Sequence, residues 1–314
     1  MFDTINCWLT QGDLPGRVDF LGELPGHLTD VAETERRSTG ERWLSGKLGN
    51  LTIRANPYSV FVGGGSLCKW YLGDNFQILG LSDTRRAVEA LGDSLHLPIW
   101  LAKVTRMDVA ANLIMSYPVG VYLDHLGDLG RAKRLQQPDS VYYQQAAKQM
   151  VFYDKIKEEK AHHEPIPELY AGVNVLRYER RATKRITKVL KVPEVRASML
   201  YDRDFYNKMI AQWADDYKAI QKITYNSVDF KMIQTKKDLY NWGLSGRIQS
   251  IGGQAEMLRQ IAEARRRGDL TAKQAYDMRA AVKQACKADG VLVEESDAIQ
   301  ELDRKVAEAV KMYS

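Results

Sequence analysis

Apolar residues alternate with polar ones at a spacing of two only in the first part of the chain, and that limits the fold more than any other feature. "FDTINCWLT" reads as an opening strand, "RWLSGKLGNLTIRANPYSVFVGGG" as short strands joined by Gly and Asn turns, and "IWLAKVTRMDVAANLIM" as a long strand. "SVYYQQ" and "KQMVFYDKIK" read as two strands about a turn apart, and "GVNVLRYERRATK" as another. Between them "SDTRRAVEALGDSL" reads as a helix with Ser82 or Asp83 as N-cap, and "VGVYLDHLGDLGRAKRL", after Pro118, as a second. From Val195 onward the spacing changes to three and four, as at Met257, Ile261 and Ala264. There one helix stops at Gly268, a second opens with the capping box of Thr271 and Gln274, and "ESDAIQELDRKVAEAVKMY" gives a third. The expected class is therefore α+β: a mainly antiparallel sheet domain over residues 1–194 and a helical region over 195–314.

Several chemistries are excluded. Among 314 residues there is no apolar run of transmembrane length and no leader-like N-terminus, so the sequence predicts a cytoplasmic protein with no membrane partner. Cys7, Cys68 and Cys286 are far apart and odd in number, which leaves neither a disulfide framework nor a CxxC zinc site. "VGGGSLCKW" lacks P-loop spacing, and no GxGxxG opens a helix. The five histidines contain no HExxH and no pair separated by one hydrophobic residue. His162 and His163 are adjacent and read as a solvated loop. A net charge of +5 permits a polyanionic partner without requiring one.

Three strands carry chemistry. In "KVTRMDVAANLIM" one face bears Arg106, Asp108 and Ala110; in "GVNVLRYERRATK" one face bears Arg177, Glu179 and Arg181. In "QMVFYDKIK" Tyr153 shares a face with Val151, Lys155 and Lys157. Carboxylates in such apolar strands need an ion pair or a bound cation. If these faces align, Asp108 and Glu179 suit Mg²⁺, while Lys155 and an arginine would offset charge on a phosphate attacked by Tyr153. The plain alternative is a set of cross-strand ion pairs around an ordinary aromatic.

Seven stretches in order resemble the gene II/X replication-protein family of filamentous phages and related plasmids: "MFDTINCWL", "GSLCKWYLGDNFQ", "RRAVEALGDSLHLPI", "AKVTRMDVAANLIM", "YPVGVYLDHLGDLGRAKR", "VYYQQAAKQMVFYDKIKE" and "NVLRYERRATKR". The resemblance covers about residues 1 to 190. It implies a rolling-circle initiator that nicks one strand of a supercoiled origin, holds the 5′ phosphate on a tyrosine, leaves a 3′ hydroxyl for the host polymerase and later rejoins the strand. The family's nucleophile falls on Tyr153 and its accompanying lysine on Lys155. The metal, Mg²⁺ or Mn²⁺, is assigned by resemblance and face geometry to Asp108 and Glu179, with Asp3 and Glu159 as weaker candidates. Tyr143 is the rival nucleophile, because a register shift in the hairpin would bring Tyr142 or Tyr143 to the same place.

Origin DNA, with host helicase and polymerase, is the implied partner set. "RYERRATKRITKVLK" supplies Arg177, Arg180, Arg181, Lys184, Arg185, Lys188 and Lys191 against Glu179 alone, a phosphate-binding track to which Arg106 adds. Lys69 would hold a phosphate, and Trp70 or Tyr71 would stack on an unpaired base or else belong to the core as aromatics. Two other readings stay open: a non-catalytic DNA-binding regulator, and a single-stranded nucleic-acid binding protein.

Overall fold

A computed structural model describes residues 1–223, 234–287 and 297–314. The chain forms two compact units, Met1–Ile223 with Asp297–Ser314, and Thr224–Ser296. The first contains β1 (Phe2–Thr10), a one-turn α1 (Phe20–Glu23), β2 (Thr29–Arg36), β3 (Glu41–Leu48), β4 (Leu51–Asn56), β5 (Ser59–Gly63), α2 (Leu67–Leu72) and α3 (Leu81–Leu95). It continues through β6 (Lys103–Met115), α4 (Val119–Asp124), β7 (Lys133–Gln137), β8 (Ser140–Gln144), β9 (Lys148–Asp154), α5 (Lys155–Ala161), β10 (Asn174–Ala182), α6 (Ile186–Leu190) and α7 (Arg203–Lys218).

The ten strands form one sheet in the order β2-β3-β4-β5-β1-β6-β10-β9-β8-β7, and every pair is antiparallel. The expected α+β class with an antiparallel sheet is what the chain adopts. Short hairpins make this possible: Gly49, at φ +57°, takes the left-handed turn between β3 and β4 that a side chain would resist. At the centre β6 buries Met107, Val109, Ala111 and Leu113 on the core face. Helix α7 covers that face with Phe205, Met209, Ile210, Trp213 and Tyr217, a helical spacing that makes one apolar stripe. Tyr178 of β10 is stacked between Phe152 (centroids 4.2 Å apart, planes 5° apart) and Trp213 (4.6 Å).

The compact units do not follow a division at residue 194. Helix α7 lies in the first unit, and so does the last helix, α11 (Asp297–Tyr313), whose Ala298, Leu302, Val306 and Ala309 join the same core. Glu301 fixes it there by accepting from Ser116 N (3.1 Å), Ser116 Oγ (2.7 Å) and Tyr122 Oη. The second unit contains α8 (Lys236–Ser250), α9 (Gly253–Arg267) and α10 (Ala272–Lys287), packed around Ile248, Ile261, Ala275, Val282 and Ala285. Gly268 ends α9 at φ +85°, and Thr271 and Gln274 form the expected box, each side chain bonding the other's backbone N–H.

Two sequence expectations give way locally. The helix after Pro118 stops at Asp124, and Lys133–Gln137 becomes β7 instead, paired with β8. Helix α3 has Gly80 as N-cap, and Asp83 caps from the third helical position by accepting the Gly80 N–H at 3.2 Å.

Candidate functional site

Strands β6, β10, β9 and β8 are neighbours, so their alternations can be aligned row by row. Asn112, Arg177, Tyr153 and Ser140 are opposite one another in one row; Ala110, Glu179, Val151 and Tyr142 form the next; Asp108, Arg181 and Gln149 the third. Opposite residues of an antiparallel pair share a face. The phenol, two carboxylates and three of the arginines singled out from sequence, Arg106, Arg177 and Arg181, thus stand on one side of the sheet.

Glu179 is the centre of this face. Its Oε1 accepts from Tyr153 Oη (2.8 Å) and Arg177 Nε (2.6 Å), and its Oε2 from Arg181 Nε (2.7 Å). Burial pushes its pKa up, but Arg177 and Arg181 outweigh that and bring it down to about 2. Arg177 is 1% exposed and is held by Asp3 Oδ1 (3.0 Å), Asn112 Oδ1 (3.0 Å) and Asn75 O (2.9 Å), so it is a fixed charge. Asp3, from β1, also accepts from Ser66 Oγ at 2.7 Å.

Asp108 is buried with one guanidinium, Arg106, whose Nη2 is 2.6 Å from Oδ2. One partner does not offset burial and the nearby Glu179, and its pKa rises to about 6. The side chains of Arg106 and Arg181 are 33% and 25% exposed, so both can turn toward a ligand where Arg177 cannot. For Tyr153 burial is the largest influence, Glu179 and Glu158 add to it against Arg177, and its pKa lies well above that of an ordinary phenol.

Beside Tyr153 is a cavity of about 340 Å³, whose wall includes Tyr142, Lys157, Glu158, His162 and Arg181. The expected strand face through Lys155 and Lys157 does not form, because Asp154 ends β9 and caps α5, accepting from Lys157 N at 3.0 Å. Lys155 is instead buried at the first position of α5, its Nζ bound to Glu158 (2.8 Å) and Glu159 and 5.7 Å from the Phe76 ring centroid. Glu159 is therefore committed to Lys155, and Lys157 to Asp139 at 2.5 Å.

Two residues fall on the opposite face. Tyr143 is fully buried with its hydroxyl donating to Gly127 O at 2.6 Å, and burial pushes its pKa up to about 12. In this register Tyr142 is the hairpin tyrosine that shares Tyr153's face. Arg180 points into the α7 side, where it meets Asp216 (2.7 Å) and Gln212 (2.9 Å), which removes it from the phosphate track. Lys184 and Arg185 are exposed, and Arg185 has the left-handed backbone φ +50°. Lys69 is paired with Glu164 at 2.6 Å, and Trp70 is half-buried against the core beside Gly49. Asn112 and Ser66 were not singled out by sequence, and Tyr142 was named there only as an outcome of a register shift. Asn112 was legible, since it continues the alternation Arg106, Asp108, Ala110.

Among the described residues no three His, Cys, Asp or Glu side chains gather closely enough to hold a metal ion. Mg²⁺ commonly uses one or two carboxylates and takes its remaining ligands from water and phosphate. Asp108 and Glu179 fit that donor set once Arg106 and Arg181 turn away; Asp3 remains tied to Arg177.

A face with partly exposed guanidiniums around a hydroxyl and carboxylates suits a phosphate ester. Residues 49–216 match the N-terminal model of the gene II replication-associated protein family, and the chain belongs to that family. It is thus a phage replication-associated initiator, with origin DNA as the partner its family implies. The matched span includes β6, β9 and β10 but not β1 with Asp3, nor α11. No curated protein matches the chain. No helix among the described residues is long and apolar enough to cross a membrane.

Proposed function

We propose that this initiator nicks one origin strand by metal-dependent transesterification with Tyr153 as nucleophile. The observation that carries the reading is the hydrogen bond from Tyr153 Oη to Glu179 Oε1 at the edge of an open cavity, on the face that also bears Asp108, Arg106 and Arg181. Tyr153 Oη forms a bond to phosphorus, the bond from phosphorus to the 3′ oxygen breaks, and the phenolic proton passes to Glu179. The 5′ phosphate stays on the tyrosine, and reversal with the 3′ hydroxyl rejoins the strand without a nucleotide cofactor.

At rest the pair is set against this transfer, because Tyr153 holds its proton and Glu179 is a weak base. DNA binding changes that: Arg181, drawn to a phosphate, leaves Glu179 with one guanidinium fewer and frees its Oε2, while Oε1 keeps the hydrogen bond from Tyr153. Arg106 does the same for Asp108. A bound Mg²⁺ or Mn²⁺, held by Asp108 and Glu179, would supply positive charge to the phosphate oxygens as it is attacked. Lys155, buried behind Glu158 and Glu159, acts as a fixed cation next to the site. Lys184 and Arg185 extend the phosphate path and make binding sensitive to salt.

The ion pairs of Asp108 and Glu179 also favour a second reading, a regulator that binds the origin without cutting it. Incubation of the protein with the supercoiled replicon separates the two. The nickase reading predicts nicked circles and a denaturation-resistant adduct with Mg²⁺ or Mn²⁺, none with EDTA, and little cutting of relaxed linear duplex. Tight binding to the same DNA with no adduct under any metal would leave the regulator.

A further inference from the structure

The reaction just described leaves one proton without a donor. The 3′ oxygen leaves as an alkoxide unless a group across the phosphorus from Tyr153 protonates it. Helix α5 begins directly after Tyr153 and Asp154, spans seven residues and is about 10 Å long at 1.5 Å per residue. It ends at His162, whose backbone N–H bonds the carbonyls of Glu158 and Glu159. Tyr153 and His162 thus line the same cavity of about 340 Å³ from the two ends of one short helix, which leaves space for a phosphate between them.

Three other polar side chains on that wall are less suited. Lys157 is held by Asp139 at 2.5 Å. Arg181 has a guanidinium, which does not give up its proton. Asp154 uses its carboxylate to cap α5. His162 has its Nε2 3.7 Å from Glu158 Oε1, close enough for charge attraction but not for a hydrogen bond, and Glu158 is held in turn by Lys155. Its side chain is 68% exposed, so it reaches solvent for exchange of the proton. His163, with a left-handed backbone at φ +57°, is not part of that wall.

We infer that His162 is the general acid of the nicking step, giving its proton to the departing 3′ oxygen, and the general base of rejoining, taking it back from the 3′ hydroxyl. This rests on the nickase reading. In nicking, one proton moves from Tyr153 to Glu179 and one from His162 to the 3′ oxygen; rejoining reverses both. The phosphodiester chemistry is redox-neutral, and no co-reactant is needed.

A leaving group that needs no proton tests this directly. The full chain, with Mn²⁺ in every arm, is given a single-stranded oligonucleotide spanning the nick site mapped on the supercoiled replicon. One version has the normal 3′ oxygen at the scissile bond and the other sulfur in its place. His162→Gln should slow adduct formation about 100-fold on the oxygen substrate and less than about fivefold on the sulfur substrate. Lys157→Gln, a charge change on the same wall, should give equal, small losses on both. Equal losses for His162→Gln on the two substrates, or no loss on oxygen, would overturn the assignment, as would sulfur rescue of Lys157→Gln alone. Failure of the wild-type protein to form any adduct would sink the nickase reading itself, which is a different result.

Discussion

On one face of β8, β9 and β10, Tyr178 lies between the rings of Phe152 and Trp213, Tyr143 gives its hydroxyl to Gly127, and Arg180 is closed against Asp216 and Gln212. On the other, Tyr153, Glu179, Arg177, Arg181 and Asp108 form one polar group with an open cavity beside it. Both faces bury tyrosines and ion pairs. They differ in what can move: the core face has its cations under α7, whereas Arg106 and Arg181 remain partly exposed. A buried ion pair by itself is weak evidence of function. A buried carboxylate whose cations can be drawn off by a phosphate is better evidence, because substrate then alters its basicity.

The largest effect that would separate the faces comes from Glu179→Gln. It should lower adduct formation at least about 100-fold by removing the proton acceptor. It should also cost about 3 kcal/mol of stability, since Arg177 loses a buried counter-charge. Its counterpart on the core face, Tyr178→Phe, loses the bond to Trp213 O and should cost about 1 kcal/mol with nicking unchanged. Single-turnover nicking together with urea unfolding reads both; a Tyr178→Phe variant that cut as poorly as Glu179→Gln would erase the distinction.

Next comes a difference in pH response between the two carboxylates. Asp108 has a folded pKa of about 6, above its ordinary 3.8, so the folded state retains its proton longer and stability falls as pH rises between those values, by about 3 kcal/mol. Glu179, at about 2 against an ordinary 4.5, contributes stability that is present above pH 4.5 and lost as pH falls toward 2. Unfolding free energies followed from about pH 3 to 7 should show a fall above about pH 4 that is absent in Asp108→Asn. An unchanged slope in that variant would mean that Asp108 is compensated by more than Arg106.

Much of this face was legible from alternation. Arg106, Asp108, Glu179 and Arg181 each sit at a parity that puts them together once β6 and β10 pair, and Tyr153 follows from its own strand. Parity also separates Arg180 from its neighbours; counting basic residues along "RYERRATKR" obscured that. What sequence could not give was register: Tyr142 and Tyr143 exchange roles with a shift of one residue, and only the pairing of Tyr142 with Val151 and Tyr143 with Met150 fixes them. The end of β9 was hidden for another reason. "VFYDKIK" alternates well enough for a strand, but Asp154 also makes a good helix cap, and α5 wins. Edge strands β2 and β7 escaped because they are polar and mostly exposed, with no apolar period to read.

The most direct test compares the two tyrosines. Tyr153→Phe, Tyr143→Phe and the wild-type chain are incubated with the supercoiled replicon and Mg²⁺, and protein–DNA adducts are counted after denaturation. Adducts from wild type and Tyr143→Phe with none from Tyr153→Phe would match the account, since the ring and the fold survive while the attacking oxygen is gone. Adducts from Tyr153→Phe that vanish in Tyr143→Phe would contradict it, and would mean that the buried tyrosine of the core face is the one that meets DNA.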